Sequence, residues 1–175
     1  MKFLTLSEQQ IKTVYPSIKE KHILISISGT EDKETQIPNN SGREGVLHLK
    51  FDDVEDIEER YTYFDRGNAN EILEFVEKHC MHVPLIIVQC KAGLSRSVAV
   101  ASALSKIING RDDEVFTKGI PNMFVYTTIL DFFFANPAWQ GTFPKISTLR
   151  NKMLSQFLTP ALMRLNAAKQ NRRLA

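Results

Sequence analysis

One stretch of sequence decides how this chain folds: Leu85-Ile86-Ile87-Val88-Gln89-Cys90-Lys91-Ala92-Gly93-Leu94-Ser95-Arg96-Ser97. Its apolar first half predicts a buried strand over residues 84–90, and the apolar residues after Arg96 predict a helix. A short loop containing Gly93 connects the two. In such a unit the N–H groups of the loop and of the helix N-terminus point at one spot, where negative charge is favoured. The stretch therefore predicts an anion-binding loop with the thiol of Cys90 at its base.

The chemistry of this loop depends on Cys90 and Arg96. The positive field of the loop favours thiolate over thiol, so we expect Cys90 to be more nucleophilic than a free cysteine. Arg96 can reach back and hold two phosphate oxygens in a bidentate manner. A nucleophile in a phosphate-binding loop predicts phosphoryl transfer through a cysteinyl-phosphate. The alternative is that Cys90 is a small buried hydrophobic residue, as cysteines at strand ends commonly are.

The residues around this unit predict an α/β fold. Strands are predicted at 3–6, 22–27, 46–51 and 84–90, and helices at 8–15, 68–79, about 96–109, 112–117, 121–135 and about 146–170. Because helices or long connections separate the later strands, we expect a central, mostly parallel sheet of four to five strands flanked by helices. Ligands bind at the carboxyl ends of the strands in such sheets, and Cys90 lies at one of these ends.

Charge is unevenly distributed along the 175 residues, although the net charge is only +2. Residues 52–59 form an acidic run, whereas residues 141–175 contain basic side chains and no acidic one. We predict that residues 1–140 form the catalytic domain and residues 141–175 a basic helical extension. That extension is either a solvated surface or a contact for an anionic partner.

Targeting signals and cysteine usage predict a cytoplasmic protein. No segment approaches the roughly 20 apolar residues that span a bilayer, and no secretory signal is recognisable. Cys80 and Cys90 are separated by a predicted strand about 20 Å long, which is too far for a disulfide. Free thiols suit a reducing compartment. Because the histidines and cysteines lack the spacing of zinc ligands, we expect catalysis to need neither a metal nor another cofactor.

Residues 89–97 resemble the signature loop of the cysteine-dependent protein tyrosine phosphatases, in their dual-specificity branch. The order of elements is similar over about residues 20–135, and the likeness is specific at residues 84–100. The resemblance implies that Ser97 stabilises the thiolate that departs when the phosphocysteine is hydrolysed. It also implies a phosphate-binding loop formed by Lys91, Ala92, Gly93, Leu94, Ser95 and Arg96.

The resemblance further implies a general acid and a bracing asparagine. The family's acid is an aspartate on the loop after the preceding strand, several tens of residues before the cysteine. Residues 46–53 match this form, and the candidates in order of preference are Asp53, Asp52 and Asp56. A carboxylic acid there would protonate the leaving oxygen and later activate water. Asn122, which follows a proline, resembles a family asparagine that braces the signature loop.

Gln89 departs from the family pattern, which has histidine before the cysteine. That histidine helps to order the loop and to activate the thiol, whereas Gln89 can form hydrogen bonds but carries no positive charge. We predict hydrolysis of phosphomonoesters, chiefly phosphotyrosine, with phosphoserine and phosphothreonine as further substrates. Two alternatives stay open: a phosphate-binding pseudophosphatase or adaptor, which Gln89 favours, and a phosphatase for phosphoinositides or RNA 5′ phosphates, which Lys91 and the basic C-terminal segment favour.

Overall fold

The computed structural model describes residues 1–55, 59–139 and 142–143, and its centre is a parallel sheet. The sheet has the order β1-β4-β2-β3, where β1 is Lys2–Ser7, β2 is His22–Ser28, β3 is Arg43–Lys50 and β4 is Leu85–Cys90. All three strand pairs are parallel, which confirms the predicted fold class. β3 begins earlier than the predicted residue 46 because Arg43 already pairs with His22, and an apolar pattern cannot detect such polar pairing.

Helices cover both faces of this sheet. In the described residues they are α1 (Glu8–Thr13), α2 (Arg66–His79), α3 (Arg96–Asn109), α4 (Asp113–Phe116) and α5 (Met123–Ala135). The predicted capping box at the start of α1 is present, and α1 ends at Thr13 because Pro16 directs the chain into a 3-10 turn. Gly110, with φ of 80°, ends α3 as predicted. α2 begins before the predicted residue 68 because Asp65 caps it.

The sheet separates a large core from a small one. Alternate residues of β4 face opposite sides, so Ile86, Val88 and Cys90 belong to the large core formed with α2, α3 and α5. Ile87 belongs to the smaller core beneath α1. Every residue of β4 is buried, as expected for a central strand of a parallel sheet. The carboxyl end of β4 is therefore a rigid base for Cys90.

The C-terminal predictions lie largely outside the described residues. The predicted helix at 146–170 lies outside the described residues, and so does the basic segment 141–175 apart from residues 142–143. In the described part, none of the helices has both the length and the apolar character needed to cross a membrane.

Candidate active site

The loop between β4 and α3 surrounds the thiol of Cys90. We call residues 91–96 the cradle, because they run from the end of β4 into the first residue of α3. Cys90 is buried, and the N–H of Gly93 donates to its sulfur at 3.3 Å. The thiol donates to Ser97 Oγ at 3.1 Å, and the same geometry lets the hydroxyl donate to a thiolate. The structure thus places Cys90 and Ser97 together at the base of the cradle.

Backbone contacts with two other elements hold the cradle in shape. Gly93 has φ of +75°, and a Cβ on it would lie 2.6 Å from the backbone nitrogen of Ser7. Only glycine fits this conformation and this close approach without strain. The first N–H of α1 donates to the carbonyl of Lys91 at 3.2 Å, and the N–H of Ile120 donates to that of Leu94 at 2.9 Å. Within the loop, Gly93 is buried and Ser95 half-buried, while Lys91, Ala92 and Leu94 are exposed.

Arg96 carries a buried positive charge with unused hydrogen-bonding capacity. Its side chain is 6 % exposed, and Nη1 donates to the carbonyl of Phe51 at 2.7 Å. Its Nε is buried and has no hydrogen-bond partner among the described residues; the nearest carboxylate oxygen, Asp53 Oδ2, is 3.8 Å away. A buried guanidinium with a free N–H strongly favours an anion with oxygens to accept it.

Asp53 lies beside the cradle and is held there by two side chains. Its Oδ1 accepts hydrogen bonds from Ser95 Oγ at 2.8 Å and from Asn122 Nδ2 at 2.9 Å. Asn122 also caps α5 through Val125 N and donates to the carbonyl of Val54 at 3.2 Å. Asn122, which the resemblance assigns to bracing the signature loop, bonds to the Asp53 segment and is connected to the cradle through Asp53 and Ser95. These bonds leave Asp53 Oδ2 facing Arg96.

Asp52 points away from the cradle, as expected for adjacent residues of an extended segment. Its carboxylate accepts hydrogen bonds from the N–H and hydroxyl of Thr30 and from the N–H of Thr62. Burial acts to raise the pKa of Asp52, but these hydrogen bonds outweigh burial and hold the pKa below its ordinary value. A carboxylate stabilised in this way is a poor proton donor. Asp56, the third candidate, lies outside the described residues.

Gln89 and Lys91, on either side of the nucleophile, both have partners. The buried amide of Gln89 accepts from Ser26 Oγ at 2.7 Å and donates to Thr35 Oγ1 at 3.3 Å. Lys91 is exposed, and its ammonium forms an ion pair with Asp32 at 2.9 Å. The hydrogen bond from Lys91 lowers the pKa of Asp32. Lys91 is therefore directed towards a carboxylate outside the cradle.

Sequence reasoning did not identify the polar residues that support these loops. They are Ser26, Thr30, Asp32, Thr35 and Thr62. No local signal marks them, since isolated serines and threonines are common in strands and loops and only the strand register brings them to the site. Among the described residues, no group of three or more metal-ligating side chains is arranged to hold an ion.

The comparison with solved structures identifies the fold. No protein-family model and no curated protein matches this sequence. Among solved structures, a human tyrosine phosphatase-like serine/threonine/tyrosine-interacting protein is similar with a TM-score of 0.54 and 18% identity, over 74% of this chain and 89% of that one. Human DUSP28 is similar with a TM-score of 0.54 and 15% identity, over 74% of this chain and 86% of that one. The resemblance predicted from residues 89–97 is confirmed at the level of architecture, and the chain has the fold of dual-specificity phosphatases.

Proposed function

We propose that this chain is a cysteine phosphatase that hydrolyses phosphomonoesters, chiefly phosphotyrosine, with phosphoserine and phosphothreonine as further substrates. The observation that carries the proposal is a buried Arg96 Nε, without a hydrogen-bond partner among the described residues, in the same loop whose Gly93 N–H donates to the buried sulfur of Cys90. A phosphate bound by Arg96 and the N–H groups of the cradle would lie directly above the sulfur. The same donors would stabilise the charge of the transition state.

The first step is the transfer of the phosphoryl group to sulfur. The Cys90 thiolate attacks phosphorus, an S–P bond forms, and the bond from phosphorus to the ester oxygen breaks. Asp53 supplies the proton that the leaving oxygen needs. Its Oδ1 is occupied by hydrogen bonds from Ser95 and Asn122, so Oδ2 is the oxygen available to carry that proton.

The second step releases phosphate. Asp53, now a carboxylate, takes a proton from water as the water oxygen attacks phosphorus and the S–P bond breaks. The hydroxyl of Ser97, 3.1 Å from the sulfur, donates to the departing thiolate. The protonated Asp53 and the Cys90 thiolate are thereby restored, and water is the co-reactant that the second step consumes. Because a nucleophilic thiol needs a reducing environment, we propose the cytoplasm as its location.

The depth of the site supports phosphotyrosine as the main substrate. Cys90 is 1% exposed and Arg96 5% exposed, so a phosphate bound between them would lie below the level of the exposed loop residues. Tyrosine holds its phosphate farther from the backbone than serine or threonine does. Lys91, the loop residue that favours phosphoinositides or RNA, is paired with Asp32, which weakens that alternative. The proposal that residues 141–175 contact an anionic partner does not depend on which substrate is hydrolysed.

A pseudophosphatase is the second candidate, and Gln89 favours it. The residue before Cys90 is an uncharged amide whose hydrogen bonds go to Ser26 and Thr35, so it adds no positive charge beneath the thiol. Such a protein would bind phosphotyrosine or inorganic phosphate without turnover.

The test is hydrolysis of p-nitrophenyl phosphate by the full chain and by two cysteine variants. Cys90→Ser should lower kcat/KM by about 10³-fold or more, because the nucleophile is lost. Cys80→Ser, at the end of α2, is the matched control and should retain wild-type activity. Full activity of Cys90→Ser would refute the mechanism. Absence of turnover by the wild type, together with binding of phosphotyrosine, would establish the pseudophosphatase instead.

A further inference from the structure

Three exposed apolar side chains lie together beside the cradle. Among the described residues, the large hydrophobic side chains with the greatest exposure are Val14, Met81, Leu94, Ile120 and Met123. Single exposed apolar residues are ordinary on a protein surface. Leu94, Ile120 and Met123, however, lie on the cradle or on the segment that is hydrogen-bonded to it, and we call them the rim patch. Their exposed fractions are 54%, 85% and 41%.

The rim patch is continuous with the cradle. Leu94 belongs to the cradle itself, and the N–H of Ile120 donates to its carbonyl at 2.9 Å. Met123 follows as the first residue of α5. The intervening Asn122 is hydrogen-bonded to Asp53, so the patch is also fixed relative to the proposed general acid. A molecule whose phosphate occupies the cradle would therefore contact these side chains if it extends from the cradle towards Ile120 and Met123.

We propose that the rim patch docks the apolar residues that flank the phosphorylated tyrosine of a protein substrate. This inference rests on the proposed function and adds a sequence preference to it. Ile120 is almost fully exposed and contributes little to the core of this chain. Burying such a side chain against an apolar partner is favourable in proportion to the area removed from water.

Charge and size argue against other occupants. An anionic membrane or a nucleic acid seated on the patch would also meet the carboxylates of Asp53 and Glu55, and Glu55 accepts a hydrogen bond from the N–H of Met123 itself. A second copy of the chain would need a far larger surface, since stable interfaces bury at least about 1,200 Å². Three side chains suit a short peptide segment that the cradle already holds by its phosphate.

The test measures peptide binding in a background that cannot turn over substrate. Fluorescence anisotropy of the full chain carrying Cys90→Ser is recorded with two labelled phosphotyrosyl peptides, one with leucine on both sides of the phosphotyrosine and one with glycine. Adding Ile120→Ser should weaken binding of the leucine peptide by about tenfold. Binding of the glycine peptide should stay within twofold, because it does not use the patch. Met81→Ser is the matched control and should change the binding of neither peptide, because this similarly exposed residue precedes the start of β4 and so lies at the other end of the sheet.

The outcomes separate this inference from the proposed function. An equal loss for both peptides, or no loss for either, would overturn docking at the rim patch. If neither peptide binds while the wild type hydrolyses p-nitrophenyl phosphate, docking fails and the phosphatase stands. If the leucine peptide binds in the expected way while the wild type shows no turnover, docking stands and catalysis fails. A change in sedimentation, or release from neutral phosphatidylcholine vesicles, caused by Ile120→Ser without a change in peptide binding would assign the patch to a second copy or to a membrane.

Discussion

The loops after β3 and β4 both lie at the carboxyl ends of the strands, yet they are held in different ways. The cradle after β4 is fixed by a glycine with positive φ and by backbone hydrogen bonds to α1 and to the segment before α5. The loop after β3 is fixed mainly by side chains: Thr30 contacts Asp52, and Asn122 contacts Asp53. Arg96 connects the two loops through the carbonyl of Phe51.

This difference separates binding from proton transfer. The cradle can bind an anion with groups that are almost all backbone, so its shape depends on few side-chain identities. The position of the proton donor depends on individual hydrogen bonds from distant segments. We therefore expect substitutions of Gly93 or Arg96 to impair phosphate binding, and substitutions around Asp53 to impair leaving-group protonation while phosphate binding persists.

Of the substitutions that compare the two loops, Arg96→Lys should have the largest effect. Lysine cannot hold two phosphate oxygens in a fork and cannot keep the bond to the carbonyl of Phe51 at the same time. We expect kcat/KM for p-nitrophenyl phosphate to fall by about 10²- to 10³-fold. Inhibition by vanadate, a phosphate analogue, should weaken in parallel. The control is Arg111→Lys, an exposed arginine paired with Glu114, which should have wild-type kinetics. Undiminished vanadate inhibition of Arg96→Lys would show that the backbone alone binds the anion.

Asp53→Asn should affect catalysis according to the leaving group. With phenyl phosphate, whose leaving oxygen needs a proton, we expect kcat/KM to fall by about 10²-fold. With p-nitrophenyl phosphate, a much better leaving group, the loss should be several times smaller. Asp131→Asn, an exposed aspartate of α5, is the matched control. Asp52→Asn should show a weaker dependence on the leaving group, because its carboxylate is directed at Thr30 and Thr62 and only helps to hold the loop. If the leaving-group dependence instead appears with Asp52→Asn, the proton donor has been assigned to the wrong aspartate.

The same contrast explains how far the sequence predicted the site. Cys90, Gly93 and Arg96 lie within one local unit, so strand, loop and helix patterns were enough to place them around one point. Asp53 could not be separated from Asp52 by pattern, because both follow the same strand and their partners come from distant segments. Those partners become visible only when the strand order β1-β4-β2-β3 is known.

The ends of helices and strands were likewise predicted well where local sequence signals set them. Local signals located both ends of α1 to within two residues and placed Gly110 after α3. The start of β3 at Arg43 depends on pairing with β2, which is a tertiary property. The prediction placed the start of α2 two residues late, at residue 68, because its capping box uses Asp65 with Asn68 in place of the usual glutamate or glutamine.

Gly93→Ala tests whether backbone conformation fixes the cradle. The positive φ and the close approach to Ser7 both oppose a Cβ. We expect the free energy of unfolding to fall by about 2 kcal/mol, measured by urea denaturation. Gly67→Ala, in the first turn of α2, is the comparison: φ is not positive there and a Cβ would lie 3.1 Å from a side-chain oxygen of Asp65, so it should destabilise the chain much less. Equal stability of Gly93→Ala and the wild type would contradict the role of this backbone geometry.

Asp52→Asn should produce a smaller, pH-dependent loss of stability. Because the pKa of Asp52 is lower in the folded chain than its ordinary value of 3.8, its charged form stabilises the fold. At pH 7 the free energy of unfolding should be lower than that of the wild type by about 1 kcal/mol. The difference from the wild type should persist above pH 4 and shrink as the pH falls through the lowered pKa. A constant difference from pH 7 to pH 2 would mean that the charge of Asp52 plays no part.

Gln89→His should have the smallest effect. It tests whether a positive charge at residue 89 would activate the thiol of Cys90 further. Gln89 lies on the opposite face of β4 from Cys90, with its amide between Ser26 and Thr35. A histidine there can donate from one ring nitrogen and accept at the other, and when protonated it adds a positive charge near the thiol. We expect alkylation of Cys90 by iodoacetamide at pH 6 to accelerate by about threefold to tenfold. Gln9→His, on the exposed surface of α1, controls for the added histidine. An unchanged alkylation rate would mean that the backbone field of the cradle and Arg96 already activate the thiol fully, so the loop after β4 would need no charge from residue 89.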